Sequence, residues 1–389
     1  MFVSTNGRGD RKVLSALMFR LPVLVALVSV LAAAAVPASS AVAAPPSWTA
    51  VASPSPGAQQ NQLNGVSCTS ATSCVAVGLY DYGASTLIES WNGSTWAVVP
   101  SPSEGDNSDL FDVSCTNPEG QSDCFAVGTY RPTNNKGAKS LIESFDGTAW
   151  SIVPSPNSTR KNVLFGISCT GETFCMAVGY SGDLGPDPMF VSLVETWNGT
   201  DWSVGAVPNI AALSSVSCVS SSDCTAAGQH KLATWNGVSW KVRTTSVGSK
   251  GFIGAVTCTS DSDCAAVGQQ TVASSPYLRT LVLLWQGGNW SVIPSPNEGP
   301  STGKGGADNQ LLGVSCTSTT KCVAVGDAIG SLVETWNGKS WKIAPSENLG
   351  LTGTDELNGS SCASPTSCQA VGDYGTESAN QTLVETGSD

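Results

Sequence analysis

Apolar residues in this chain gather in short runs separated by Gly, Ser, Asn and Pro, and no stretch keeps an apolar period of 3.6. The segment Leu63–Ser103 shows the pattern best. Its runs LNGVSC, CVAVG, TLIESW and TWAVVP are each of strand length and rich in Val, Ile, Leu or Trp. Asn92–Gly93, between the third and fourth runs, signals a tight hairpin, because both residues accept positive φ. The prolines of VPSP close the fourth run, where a missing N–H costs least. Four antiparallel strands are predicted.

The unit then returns. WNGSTW at Trp91 is followed by FDGTAW at Phe145, WNGTDW at Trp197, WNGVSW at Trp235, WQGGNW at Trp285 and WNGKSW at Trp336. Fourteen cysteines fall into seven close pairs: Cys68 with Cys74, Cys115 with Cys124, Cys169 with Cys175, Cys218 with Cys224, Cys258 with Cys264, Cys316 with Cys322, and Cys362 with Cys368. Internal repetition at this period, four strands to the unit, predicts a seven-bladed β-propeller. The seventh unit ends at TLVETGSD after three strands. Its missing fourth is found at the other end, where Trp48-Thr-Ala-Val-Ala-Ser-Pro matches Trp96-Ala-Val-Val-Pro-Ser-Pro. Pairing the two ends closes the ring and hides two open sheet edges, whereas a linear solenoid would need capping units. The expectation is an all-β propeller over residues 44–389, with the N-terminal strand completing the last blade.

Residues 1–43 are set aside as a secretory signal. Basic residues up to Arg20 precede an apolar run from Leu21 to Val36, and small residues follow, with a cleavage site after Ala43. This reading predicts removal rather than retention as an anchor. The RGD at Arg8–Asp10 goes with it. So do four of the 18 basic residues but one of the 30 acids, leaving the remainder more acidic than the −12 of the whole chain. Such a charge repels phosphates and anionic membranes, so neither nucleic acid nor membrane is an expected partner.

The repeat VSCTSxxxCVAVG…LVETWNGxxW resembles that of secreted actinobacterial propeller-like proteins, and its hairpin before a tryptophan is similar to kelch and Asp-box repeats. The turn is Asn-Gly or Asp-Gly where an Asp box has Asp-x-Gly, and the Gly-Gly doublet of kelch repeats is missing. The resemblance implies the fold and leaves the activity open.

Each cysteine pair, placed at the turn between strands one and two, is expected to form a disulfide worth roughly 2 kcal/mol; zinc is the alternative, and a lone Cys pair without His suits it poorly. The recurring tryptophans read either as wedges between blades or as sugar-stacking platforms. Glu89, Glu143, Glu195, Glu334 and Glu385 recur on strand three, but Ala233 and Leu283 replace them in blades four and five. An acid exchangeable for Leu reads as a structural acceptor, since the carboxylates of a glycosidase must be singular. One histidine, His230, and no phosphate loop or calcium loop leave no cofactor or metal to expect.

Strand alternation puts the disulfide hairpins and repeated turns on one face of the disc. The two-to-three and blade-to-blade loops share the other, and these vary. All six tyrosines lie on or beside those loops, as do several charged residues. The candidate binding residues are therefore Tyr80, Asp81, Tyr82, Tyr130, Arg131, Tyr180, His230, Tyr277, Arg279, Asp327, Asp373 and Tyr374, with Asp183 in the same loops. A tyrosine after AVG can equally cap a strand end. The expected function is a monomeric, non-catalytic extracellular binding module for a glycan or protein partner, free or wall-associated. An extracellular polysaccharide hydrolase or lyase, with its site at the central channel, is the alternative.

Overall fold

The computed structural model describes residues 48–116, 123–133, 137–157, 159–182, 190–286, 288–303, 305–350, 354–376 and 379–388. The predicted signal segment and Asp183 lie outside them. The described strands form seven four-stranded sheets, six of them built from consecutive strands. In blade one these are Asn61–Ser70, Ser73–Tyr80, Ser85–Trp91 and Trp96–Val98. The seventh sheet joins Glu356–Ser364, Ser367–Gly375 and Asn380–Gly387 to Thr49–Ala50. Thr49 pairs with Thr386 and Ala50 with Glu385, while Trp48 N–H donates to Pro345 O at 2.9 Å. The ring closes as the split repeat predicts.

The second and third strands are apolar on both sides because each blade is packed on both sides. Val77 and Ile88 of blade one meet Leu110, Val113 and Trp150 of blade two, whereas Ala76 and Leu87 face Val371 and Val384 of blade seven. Seven such clusters fill the seven blade interfaces. The second tryptophan of the hairpin is the wedge: Trp48, Trp96, Trp150, Trp202 and Trp341 are all buried. The first stacks on it across the turn, at 5.7 Å for Trp91 and Trp96. A bulge at Asn64 in the inner strand brings Gln62 O over Gly78, and a Cβ there would sit 1.9 Å from that oxygen. That close approach explains the glycine of AVG.

Seven disulfides join the predicted pairs, and no described cysteine is free. The cysteines lie inside the ladder rather than at its end: Cys68 faces Cys74, and pairing continues to Ser70 and Ser73. Six of the seven first cysteines follow a serine, blade five carrying Thr257 there, and that serine has its own role. Ser67 Oγ accepts from Cys115 N–H of the next blade at 3.0 Å, and Ser114, Ser168, Ser217, Ser315 and Ser361 repeat this inner belt.

An outer belt uses the recurring glutamates. The serine five residues beyond the wedge tryptophan donates to the glutamate of the following blade: Ser53 to Glu89 at 2.7 Å, Ser101 to Glu143 at 2.9 Å, Ser155 to Glu195 at 2.9 Å, Ser295 to Glu334 at 2.7 Å and Ser346 to Glu385 at 2.8 Å. All five carboxyls are buried. Burial pushes four of them up to about 7 and Glu334 to about 8, with the serine hydrogen bonds opposing the shift. Where the third strand carries Ala233 or Leu283, the serine position is Val207 or Thr245. The acceptor is missing at both seams flanking blade four; Val207 lacks a donor as well, and the Thr245 hydroxyl donates to His230 O instead.

Candidate functional site

The candidate tyrosines separate into distinct environments. Tyr80, Tyr130 and Tyr374 lie half-buried against the cores of their own seams, as strand-end caps do. Burial and the neighbouring Glu104 raise the Tyr130 hydroxyl. Tyr277 serves its own loop, its hydroxyl donating to Gly303 O at 2.9 Å. Tyr82 stands free at 65% exposure. Asp81 and Tyr82 have φ of 51° and 59°, and the remaining described non-glycine residue with positive φ is Gln229. All three sit in two-to-three connections, where such conformations cost of order 1–3 kcal/mol each. Arg131 is exposed, while His230 and Arg279 are half-buried.

Tyr180 alone of the tyrosines enters an aromatic groove. A cavity of about 390 Å³ is lined by Lys161, Phe165, Tyr180, Phe190, Leu213, Gln229 and Phe252 among others, on blades three to five. Phe111, Phe165, Tyr180 and Phe190 form a chain of rings with centroids 5.1, 5.6 and 5.0 Å apart. The Lys161 ammonium lies 5.2 Å from the Tyr180 ring and 5.1 Å from that of Phe190. Phe190 and Phe252 are 37% and 45% exposed. Sequence reading passed over these phenylalanines. The signal for two of them was the bulge position, which holds Asn64, Phe111, Phe165, Ser214, Gly254, Leu312 and Asn358 in turn.

Phe165 also lines the central channel, together with Asn64, Phe111, Asp112, Ser214, Leu312, Asn358 and their neighbours on all seven inner strands. Asp112 ties blade two to blade three, its Oδ1 accepting from Val113 N–H and its Oδ2 from Ile167 N–H, both at 2.9 Å. Asp109 Oδ1 accepts from Asn64 Nδ2 at 3.0 Å. Burial raises both acids to about 7 against these hydrogen bonds. On blades six and seven, the predicted Asp327 and Asp373 flank Glu356 at the same face. Burial first, then the charges of Asp327 and Asp373, lifts Glu356 to about 7, and Asp373 is raised to about 6, chiefly by burial. The loop face is therefore two-sided, aromatic over blades three to five and carboxylic over six and seven.

The class that fold and face define is a disulfide-stapled seven-bladed β-propeller with an asymmetric loop face. The sequence matches no family model and no curated protein. Among solved structures it is similar to YCF48 bound to D1 peptide, with a TM-score of 0.56 at 12% identity over 89% of this chain and 100% of that one. YCF48 from Cyanidioschyzon merolae gives 0.55 at 14% identity over 87% and 98%. The WD40 repeats of RRP9 give 0.59 at 11% identity over 89% and 99%. At these identities the likeness establishes the fold.

Proposed function

We propose that this protein is a secreted, non-catalytic propeller that binds a protein partner through the two-to-three loop face, centred on the Tyr180–Phe190 groove. One observation carries the reading. In a ring of near-copies, the sector of blades three to five exposes a continuous aromatic cavity among the described residues, and Tyr180 stands where other blades carry Leu79, Thr129, Gln269, Asp327 and Asp373. Aromatic anchors in a rigid concave site are what binding hot spots are made of. Asp112 in the channel wall already bonds to blade three, and Asp109 of the same strand to Asn64 of blade one, which favours binding over hydrolysis. YCF48 is a propeller seen with a peptide bound, which is in keeping with this use of the fold. Seven disulfides suit an oxidising extracellular setting. No helix among the described residues is long and apolar enough to cross a membrane.

The test is peptide phage display on the immobilised protein, followed by fluorescence polarisation of the selected peptides. Tyr180→Ala with Phe190→Ala should weaken binding by at least about tenfold with little change in melting temperature. Val98→Ala on the outer rim should leave binding unaltered. Selected peptides that hold equally well to the groove variant would place the function on another surface.

A further inference from the structure

We infer that the partner docks as a polypeptide segment that sets an apolar side chain in the Phe165–Tyr180–Phe190 groove and directs an Arg or Lys side chain to the carboxylates of Asp327, Glu356 and Asp373. The inference rests on the binding reading above and adds the chemistry of the partner. Glu356 and Asp373 are direct partners in the ladder, so their side chains leave the same face of the sheet. Asp373 is 6% exposed and its Oδ1 meets no donor; Asp327 Oδ1 is likewise buried and unmet. Buried carboxylate oxygens are normally satisfied, and donors missing from the protein can come from a ligand.

The donors called for are cationic. The charges acting on these three groups come from other carboxylates: Asp308 on Asp327, Asp327 and Asp373 on Glu356, and Asp355 on Asp373. A bare metal ion does not fit, because no three such groups among the described residues converge as metal ligands do. An ammonium or guanidinium spreads its N–H groups over a wider reach, and a guanidinium presents five of them in a planar fork.

The channel lies between the two subsites. Phe165 lines both groove and channel, and Asn358, two residues beyond Glu356 in the same inner strand, lines the channel on blade seven. Lys161, resting on the Tyr180 and Phe190 rings, supplies the groove with a donor for the segment's own carbonyls. It also repels cations there, so the segment's positive charge turns toward blades six and seven.

The probe is a set of short fluorescein-labelled Gly/Ser peptides carrying one Phe and one Arg at varied spacing, read by fluorescence polarisation against the full-length protein. At the best spacing the Arg peptide should bind about tenfold or more tightly than its Arg→Glu counterpart. High salt should erode that advantage, and the Glu356→Gln, Asp373→Asn double variant should remove it without changing the circular dichroism spectrum. If Arg and Glu peptides bind alike while Phe190→Ala still abolishes binding, the cation subsite is wrong and the groove reading stands. If binding survives Tyr180→Ala with Phe190→Ala, the groove reading fails as well. If no peptide binds the wild type, the inference is wrong; a neutral oligosaccharide bound in their stead would make the groove a sugar platform.

Discussion

Raising the pH should loosen the ring through its outer belt. Glu89, Glu143, Glu195, Glu334 and Glu385 are buried, and burial moves them from 4.5 to about 7, or about 8 for Glu334. Their pKa is higher folded than unfolded, so the native state binds more protons between the two values. The stability this confers is complete below about 4.5 and is lost as pH rises through 7 to 8. At about 1.4 kcal/mol per pH unit, four of the glutamates each set a ceiling of about 3.5 kcal/mol and Glu334 one of about 5 kcal/mol. Relaxation and water entry at the charged carboxylate should cut this to about 1 kcal/mol each, or about 5 for the belt. Unfolding entropy near 2.1 cal/mol/K per residue over about 340 residues gives about 0.7 kcal/mol/K, so melting should fall by about 7 °C. The assay is tryptophan-fluorescence melting from pH 5 to pH 9 with disulfides intact. Asp109, Asp112, Glu356 and Asp373 are shifted the same way, so the fivefold Glu→Gln variant isolates the belt by difference. A wild-type melting point that rises across this range, or a slope the Gln variant leaves intact, would refute the reasoning.

Trp48→Ala should cost about 3–5 kcal/mol in guanidinium unfolding, because it empties the wedge of the strand that shuts the ring. Gly78→Ala should abolish the yield of folded protein, since the new methyl has to displace the carbonyl of Gln62 across the bulge; recovery of a normal yield would contradict that geometry. Tyr82→Ala should leave the melting temperature unchanged, whereas Tyr277→Ala should lower it by about 1–2 °C as the Gly303 hydrogen bond goes. Thiol titration of the denatured, unreduced protein should find none.

The architecture was readable because the chain states it seven times: each turn, cysteine pair and wedge tryptophan confirms the others, and the split of the last blade reveals the closure. The outer belt was half readable. The glutamates stood out as acceptors, and the loss of Ser at positions 207 and 245 along with Glu at 233 and 283 was present in the sequence, but only the register of neighbouring blades shows that these positions meet. The groove was the least legible. Phe111 and Phe165 occupy bulges, where one inserted residue turns a side chain out of the strand alternation and toward the channel. The period of two that sorts core from surface does not resolve such positions. Tyr277, one of the candidate binding residues, also secures a loop through Gly303 O, a contact that no repeat position announces.

The closing strand makes the position of the chain's ends a matter of labelling. Gly387 stands where Trp91 stands in blade one, and Trp48 stands where Trp96 does; a Cβ on Gly387 would lie 2.5 Å from the Trp48 ring. In six blades a four-residue turn spans that gap, and in the seventh it is simply not covalent. The ring therefore has seven equivalent places to be cut. A circular permutant that bridges Gly387 to Trp48 with an Asn-Gly turn and opens at the turn after Trp235 exchanges one hairpin for another and keeps every belt contact. Opened there, the new ends fall in blade four, whose two seams already lack the Ser–Glu bond, so the weakest sector of the molecule would carry its termini.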